Sequence, residues 1–134
     1  MTERVQRGML DTCAAIDLPT LDPARLPVEV AIPAIVLAEL AQGVAMTKDP
    51  EQVMIRSQRL ADIEATFAAI PFDREAARRY GTLVALTIAA NRDPRPRRID
   101  LMIAATAAAH QLPLYTRNPD DFKGLTNTVT IIAI

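Results

Sequence analysis

Apolar and polar positions along the chain predict strands that alternate with helices. "RGML" (7–10) indicates a short buried strand, and the alternating, β-branched "VEVAI" (28–32) indicates a second. "LPLYT" (112–116) and "TVTIIAI" (128–134) indicate two more strands near the end of the sequence. Strands separated by helical segments are typical of a parallel α/β sheet with helices on both faces.

Helical periodicity occupies the segments between these strands. Pro33 suits a first helical turn and predicts a helix towards Met46. "DPEQ" (49–52) is typical of a helix start, and another helix is predicted after Asp73. "IDLMIAATAAAHQ" (99–111), rich in small residues, predicts a helix that packs closely under the sheet. The helix after "DPEQ" is expected to bury one apolar stripe: Val53, Leu60, Ile63, Phe67 and Ile70.

Composition and charge narrow the class of protein. At 134 residues, the chain is expected to form one domain, residues 1–134, with enough apolar side chains for a core. Its net charge of −1 gives the whole molecule no general affinity for nucleic acid, so such affinity would need a local basic patch. The sole cysteine, Cys13, excludes an internal disulfide and is expected to be a small core hydrophobe.

The sequence also bears on location. The charged start "MTERVQRGML" lacks the apolar region of a signal peptide, and the longest uncharged stretch, from Val30 to Glu39, is too short to cross a membrane. Together with the single cysteine, these features lead us to expect a soluble, cytoplasmic protein without a membrane partner.

Four acidic residues stand where an open α/β sheet could bring them together: Asp11, Glu39, Asp100 and Asp121. Ligands bind such sheets outside the carboxyl ends of the strands, and Asp11 and Asp121 both follow predicted strands. Asp100 is expected to open the small-residue helix. Glu39 is the one charge in the apolar "VAIPAIVLAELAQGVAMT" (30–47), and its helical neighbours at three and four positions include no cation.

Each acid also has an ordinary structural interpretation. Asp11 and Asp100 could cap helices, Asp121 could be a surface turn residue, and Glu39 could lie on a helix edge that faces water. If the four converge without a cation, however, their carboxylates repel one another and their pKa values rise. A bound Mg²⁺ or Mn²⁺ would relieve that repulsion, and an all-oxygen site of this kind suits phosphate chemistry.

A family resemblance rests on four segments in the family's order and spacing: "MLDTCAAI", "LAELAQG", "RIDLMIAATAAAHQLPLYTRNPDDF" and "VTIIAI". With them the chain resembles the PIN-domain ribonucleases, and among those the VapC-type toxins of bacterial type II toxin–antitoxin systems. The third segment is the most specific of the four. The resemblance implies a PIN-like α/β fold of three layers, α/β/α, in which helices flank a short, mostly parallel sheet.

The resemblance places the family's catalytic metal ligands on four residues of this chain: Asp11, Glu39, Asp100 and Asp121. The fourth position is the least certain match, because related sequences carry an acid where Asn118 stands here. Asn118 is therefore an alternative ligand through its amide oxygen, and Asp120 is a further substitute for Asp121. Thr12 and Thr116, beside the cluster, are expected to hydrogen-bond a ligand or water.

The implied activity is Mg²⁺- or Mn²⁺-dependent hydrolysis of RNA phosphodiester bonds, at one or few sites of a tRNA or ribosomal RNA. The metal would be held mainly by Asp11 and Asp100, while Glu39 and Asp121 would hold a second ion or position a water. The resemblance also implies a homodimer, and a cognate antitoxin protein that often inserts a basic side chain among the carboxylates.

Basic residues near the predicted site are candidates for holding RNA. "RDPRPRR" (92–98) precedes Asp100 in the sequence, and Arg117 stands near the fourth acid. Phosphate contacts would give salt-dependent affinity without sequence readout. A solvated basic loop without a partner is the alternative interpretation. The candidates for phosphate contact are Arg95, Arg97, Arg98 and Arg117.

Other functions fit parts of the same pattern. A haloacid-dehalogenase-type phosphatase would need a second aspartate where Cys13 stands, and a phosphoacceptor receiver domain would need paired acids after the first strand. A catalytically silent PIN-like module that binds RNA or protein fits the sequence better, as does a DNA-cutting PIN nuclease. Metal-dependent cleavage of RNA separates both from the ribonuclease hypothesis.

Overall fold

The computed structural model describes residues 4–134, so residues 1–3, the beginning of the charged start considered for a signal peptide, lie outside the described residues. Within 4–134, five strands form one sheet in which every neighbouring pair is parallel. This confirms the predicted α/β class. In chain order the strands are β1 (Arg7–Leu10), β2 (Glu29–Pro33), β3 (Ala68–Ile70), β4 (Leu114–Thr116) and β5 (Ile131–Ala133). Their order across the sheet is β3-β2-β1-β4-β5.

Five α-helices in the same part of the chain flank this sheet: α1 (Thr12–Asp17), α2 (Ala34–Met46), α3 (Pro50–Thr66), α4 (Arg74–Ala89) and α5 (Arg98–Ala109). Aspartates cap two of them as their sequence patterns predict. The Asp49 carboxylate accepts from the Glu51 N–H at 3.1 Å, and the Asp73 carboxylate accepts from the Ala76 N–H at 2.9 Å. None of the helices described here combines the length and the apolar character needed to cross a membrane.

The strand β1 lies at the centre of the sheet, with β2 on one side and β4 on the other. Met9 is aligned with Ala31 of β2 and with Leu114 of β4, and all three side chains are fully buried. Burial on both faces explains why the strand is apolar from Gly8 to Leu10 instead of alternating. The order of connections reverses between β1 and β4, and open α/β sheets bind ligands at such a point, outside the carboxyl ends of the strands.

The small-residue helix α5 packs closely, as its composition predicted. Ala104, Ala105 and Ala107 are fully buried, and the helix contacts both α4 and β2. Small side chains allow the backbones of adjacent elements to approach, so the position of this helix relative to the sheet is tightly constrained. Its first turn carries Asp100.

Some expectations about individual elements are wrong. The helix α3 ends at Thr66, so Phe67 and Ile70 do not belong to its apolar stripe. Ile70 is instead buried in β3, which has three residues and is too short for an alternating pattern to reveal it. Val53, also placed in the buried stripe, is 36% exposed. Cys13 is exposed and does not belong to the core.

Two glycines give opposite predictions for the stability of this fold. A Cβ at Gly81, inside α4, would meet nothing within 4 Å, so Gly81→Ala should raise the free energy of unfolding by about 0.8 kcal/mol through helix propensity. A Cβ at Gly8 in β1 would lie 2.5 Å from Cε1 of the buried Tyr115 ring. Gly8→Ala should therefore lower the free energy of unfolding by about 1–3 kcal/mol. Urea denaturation of both variants checks this, and equal effects would contradict the packing described for β1.

Candidate active site at the ends of β1 and β4

Asp11 lies directly after β1 and is held by contacts on both sides. Its backbone N–H donates to the Tyr115 carbonyl at 3.1 Å, which extends the β1–β4 pairing by one residue. One carboxylate oxygen, Oδ1, accepts from the Ala14 N–H at 3.0 Å, and Oδ2 accepts from the Thr116 hydroxyl at 2.5 Å. Asp11 therefore does cap α1, and the same side chain, 5% exposed, also reaches the end of β4.

Glu39 projects from the middle of α2 towards α1. The Thr12 hydroxyl donates a hydrogen bond to its Oε1 atom, and the side chain is half-buried. The lone charge in the apolar segment is therefore neither on an open helix edge nor paired with a cation in its own helix. A neutral donor holds it beside the end of β1.

Asp100 lies in the first turn of α5, two residues after the helix begins at Arg98. The residue in the N-cap position is Arg97, so the interpretation of Asp100 as a helix cap is wrong. Its pKa is raised to about 6, first by burial and then by the charges of Asp121, Glu39 and Asp11, while Arg97 acts in the opposite direction. Asp100 therefore lies within electrostatic reach of the other three acids.

The pKa of Asp11 responds to the same neighbours. Burial raises it, the hydrogen bonds from Thr116 and Ala14 lower it, and the charges of Asp121 and Glu39 raise it further, with a net upward shift. The acids thus act on one another through space, although they come from four separate segments. We call these four residues the acidic cluster: Asp11, Glu39, Asp100 and Asp121.

The 3₁₀ turn Pro119–Phe122, which follows β4, positions Asp121. The Asp121 N–H donates to the Asn118 carbonyl at 3.1 Å, and the next residue, Phe122, is fully buried in the core. That buried ring anchors the turn and keeps the Asp121 carboxylate on the side of the acidic cluster. The turn is thus more than an exposed surface loop.

Asn118, Asp120 and Arg117, which are near Asp121 in the sequence, make different contacts. The Asn118 backbone N–H donates to the Thr116 hydroxyl at 2.9 Å, so Asn118 supports the threonine that bonds Asp11. The side chain of Asp120 is 84% exposed and does not figure among the charges that act on Asp11 or Asp100. Arg117 is paired with Asp17 at 3.2 Å. Of the candidate fourth acids, Asp121 is the one that shares the cluster.

The acidic cluster supplies oxygen donors without forming a complete ligand cage. Within residues 4–134, no group of three or more His, Cys, Asp or Glu side chains is arranged to hold one metal ion. Mg²⁺ is commonly bound by one or two carboxylates, while waters and substrate phosphates complete its coordination. The donor set therefore fits a hard divalent cation held by a pair of carboxylates better than one held by the whole cluster.

The thiol beside the cluster is not a nucleophile of this site. Cys13 follows Thr12 in α1, and the pKa of its thiol is raised by desolvation and then by the charges of Asp11, Asp100 and Asp121. A raised pKa keeps the thiol protonated and unreactive at neutral pH.

The arginines at and before the start of α5 have different partners. Arg95 is 84% exposed and pairs with Asp93 at 3.0 Å, while the Arg98 Nε–H donates to the Arg95 carbonyl at 3.1 Å. Arg97 is the member of the group whose charge reaches the acidic cluster, because it lowers the pKa of Asp100. These contacts leave much of the predicted basic patch occupied by local interactions.

A pocket with charged side chains in its lining, next to the acidic cluster, escaped the sequence analysis. It has a volume of about 380 Å³ between α2 and α3, and its lining includes Thr12, Glu39, Arg56 and Arg59. The two arginines are three positions apart, so they share one helix face, which the sequence does show. It does not show that this face is turned towards Glu39. We call this space the arginine pocket.

An apolar groove of about 720 Å³ lies on another side of α3. Its walls include Ala15 and Leu18, from α1 and the turn after it, and Met54, Ile55 and Ile63 from α3. Arg59 lines both this groove and the arginine pocket, so the two spaces adjoin along α3. Met54 is 70% exposed and Ile55 is 42% exposed, so α3 presents apolar side chains to solvent there. Contiguous apolar surface of this kind is typical of a protein interaction site.

Comparison with known proteins finds a family model, a curated protein and solved structures that are similar to this chain. The PIN domain family model matches residues 9–126. Ribonuclease VapC5 of Mycobacterium tuberculosis is 39% identical over 131 residues, which cover 92% of this chain and 91% of that protein. The crystal structure of the toxin–antitoxin pair VapBC-5 from Mycobacterium tuberculosis contains a chain with 36% identity and a TM-score of 0.78, covering 96% of this chain and 98% of that one. A chain of VapBC2 from Rickettsia felis, crystallised with a promoter DNA fragment, gives 25% identity and a TM-score of 0.79 over 96% and 99% of the two chains.

The raised pKa of Asp100 predicts that metal-free protein loses stability as pH rises. The folded carboxyl titrates at about 6 and the unfolded one near 3.8, so between these values the folded state binds more protons and the free energy of unfolding falls with increasing pH. Asp100→Asn removes the charge and should stabilise the protein at pH 7 in EDTA by of the order of 1 kcal/mol, allowing for solvent screening. Thermal melts at pH 7 and pH 4 check this, because the gain should shrink at pH 4, where the wild-type carboxyl carries its proton. A gain of equal size at both pH values would contradict the charge-based explanation.

Proposed function

The chain belongs to the PIN domain family, and we propose that it is a metal-dependent endoribonuclease toxin neutralised by a cognate antitoxin protein. Its curated relative at 39% identity is a ribonuclease, and its structural neighbours come from toxin–antitoxin complexes. The observation that carries the proposal is the acidic cluster at the ends of β1 and β4, where burial and then the charges of the neighbouring carboxylates raise the pKa values of Asp11 and Asp100. That is where an open α/β sheet binds its ligand.

In this proposal, Asp11 and Asp100 are the main metal ligands. The hydrogen bonds from Ala14 and Thr116 fix the orientation of the Asp11 carboxylate, and each of its oxygens keeps a further lone pair for a ligand. When bound, Mg²⁺ or Mn²⁺ would activate a water and neutralise charge on the scissile phosphate. Glu39, held by Thr12, and Asp121, held by the turn after β4, would position that water or a second ion.

Several finer expectations stay predictions. They are the choice between Mg²⁺ and Mn²⁺, the tRNA or ribosomal RNA target, the homodimer and the cytoplasmic location. A catalytically silent binding module and a DNA-cutting nuclease of the same family are the competing functions, and the cleavage experiment below separates both from the ribonuclease.

Cleavage of total tRNA and ribosomal RNA tests the proposal directly. We expect discrete fragments with Mg²⁺ or Mn²⁺ and none in EDTA. Asp100→Asn and Asp121→Asn should each lower the rate by about 100-fold or more, because each removes a carboxylate from the site. Asp120→Asn is the matched control: it makes the same chemical change in the same turn on an 84% exposed side chain, and it should cleave within about twofold of wild type.

The outcomes separate the competing functions. Single-stranded and duplex DNA are assayed beside the RNA, and preferential cutting of DNA would favour a DNA nuclease. No cleavage by folded, metal-loaded, antitoxin-free protein would favour the silent module. If Asp120→Asn were inactive and Asp121→Asn active, Asp120 would be the fourth acid in place of Asp121.

We also propose that the antitoxin occupies the apolar groove between α1 and α3. The groove is about 720 Å³ in volume and exposes Met54 and Ile55, and it leads along α3 towards the arginine pocket and the acidic cluster. An antitoxin segment with apolar side chains would cover this surface and lie close enough to block the site. Burial of such side chains would supply the driving force for association.

Substitution in the groove should separate inhibition from catalysis. Met54→Glu places a charge in the groove and should weaken the antitoxin complex by about tenfold or more, while the isolated toxin keeps its cleavage rate. Met46→Glu is the control, because Met46 is equally exposed, at 71%, and lies outside the groove lining. Calorimetry with the antitoxin encoded beside the toxin measures the affinity. Equal weakening by both substitutions would mean that the antitoxin binds elsewhere.

A further inference from the structure

We propose that the arginine pocket binds a phosphate of the RNA strand next to the one that is cleaved, through Arg56 and Arg59. This rests on the proposed ribonuclease function and adds to it a site for substrate on α3, outside the acidic cluster. The pocket has a volume of about 380 Å³, within the range of ordinary ligand sites. Its ligand would be the phosphodiester backbone, so the site would position RNA without reading its sequence.

The position of the pocket joins it to the acidic cluster. Glu39 and Thr12, which are hydrogen-bonded to each other, line it together with Arg56 and Arg59 of α3. In the proposed complex, a strand whose scissile phosphate lies at the carboxylates continues past Glu39. Its neighbouring phosphate then meets the cationic side chains that share the pocket with Glu39.

Arg56 has a fixed orientation that suits phosphate binding. Its Nη1 atom donates to the Gly43 carbonyl near the end of α2 at 2.7 Å. A guanidinium group has five N–H donors, so one backbone contact sets its direction and leaves the others for a ligand. Arginine matches phosphate geometry with two parallel N–H donors, and an arginine already held in place loses less entropy when it binds.

Arg59 has no such contact. Within residues 4–134 it makes no ion pair and no side-chain hydrogen bond, yet it is half-buried against the pocket. By contrast, Arg95 and Arg117, which the sequence offered as RNA ligands, are each paired with an aspartate. A cation without a partner beside an anionic substrate is the more available donor.

The charge of the lining favours an anion. Its charged residues are Glu39, Arg56 and Arg59, so the pocket carries one net positive charge in a chain whose net charge is −1. Neither arginine figures among the charges that act on Asp11 or Asp100, so the two cations do not serve to neutralise those two carboxylates. A phosphate is the anion that the proposed reaction brings to this place.

The test is binding and cleavage of the RNA substrate by Arg59→Gln and Arg56→Gln. Each should raise the Kd for RNA and the KM by about three- to tenfold and leave kcat within about twofold, because a uniform binding contact is removed. The slope of log K against log salt should become shallower by about 0.7 for each lost phosphate contact on a single strand. Arg74→Gln is the control, since Arg74 is exposed at the start of α4, far along the chain from the pocket lining.

Each result has one interpretation. Arg59→Gln is the decisive variant for RNA binding because Arg59 makes no ion pair and no side-chain hydrogen bond within residues 4–134 that the substitution could remove, while a thermal melt identifies any folding defect in Arg56→Gln. If wild type cleaves RNA and both variants match Arg74→Gln in Kd and salt slope, the phosphate site is wrong and the proposed function stands. If Arg56→Gln, whose side chain lines only the arginine pocket, weakens the antitoxin complex and leaves RNA binding unchanged, the pocket holds an acidic protein segment and the proposal is overturned. If wild type neither cleaves nor binds RNA, both proposals fail.

Discussion

The mutual repulsion of carboxylates at the ends of β1 and β4 is the constraint on which the arrangement of this protein depends. Burial and then the charges of the neighbouring acids raise the pKa values of Asp11 and Asp100, and in isolation that repulsion favours a chain in which the four acids are apart. The sheet and its helices hold them together. The packing of α5 and the turn after β4 therefore opposes an electrostatic cost that is local to the site.

The protein moderates this cost with neutral donors more than with cations. Asp11 receives hydrogen bonds from a hydroxyl and a backbone N–H, and Glu39 receives one from a hydroxyl. Such donors orient a carboxylate and leave its charge in place, whereas a buried arginine would cancel the charge that attracts a divalent cation. Positive charge lies instead in the adjacent arginine pocket, at Arg56 and Arg59, where it can act on an anionic strand without competing with a metal ion.

Much of the fold and of the site could be predicted from local signals. Such signals act within a few residues: helix starts such as "DPEQ", the buried apolar residues of β1 and the alanines of α5. The elements that they predicted are present in the structure. The failures lie where local signals are weak. The three residues of β3 are too few to show a period, and the stripe from Val53 to Ile70 crosses the end of α3 because apolar spacing alone does not mark where a helix stops.

By itself, the sequence determined which residue types were available and the helix or strand that carries each, because propensity, capping and periodicity depend on near neighbours. It thereby indicated four acids and a parallel α/β sheet. Only the tertiary structure decided that Asp121 and not Asp120 faces the others, that Thr12 holds Glu39, and that one face of α3 turns two arginines towards the same place. Those outcomes depend on how α2, α3 and the turn after β4 pack against one another, and packing between distant segments follows from side-chain shape, which no local pattern encodes.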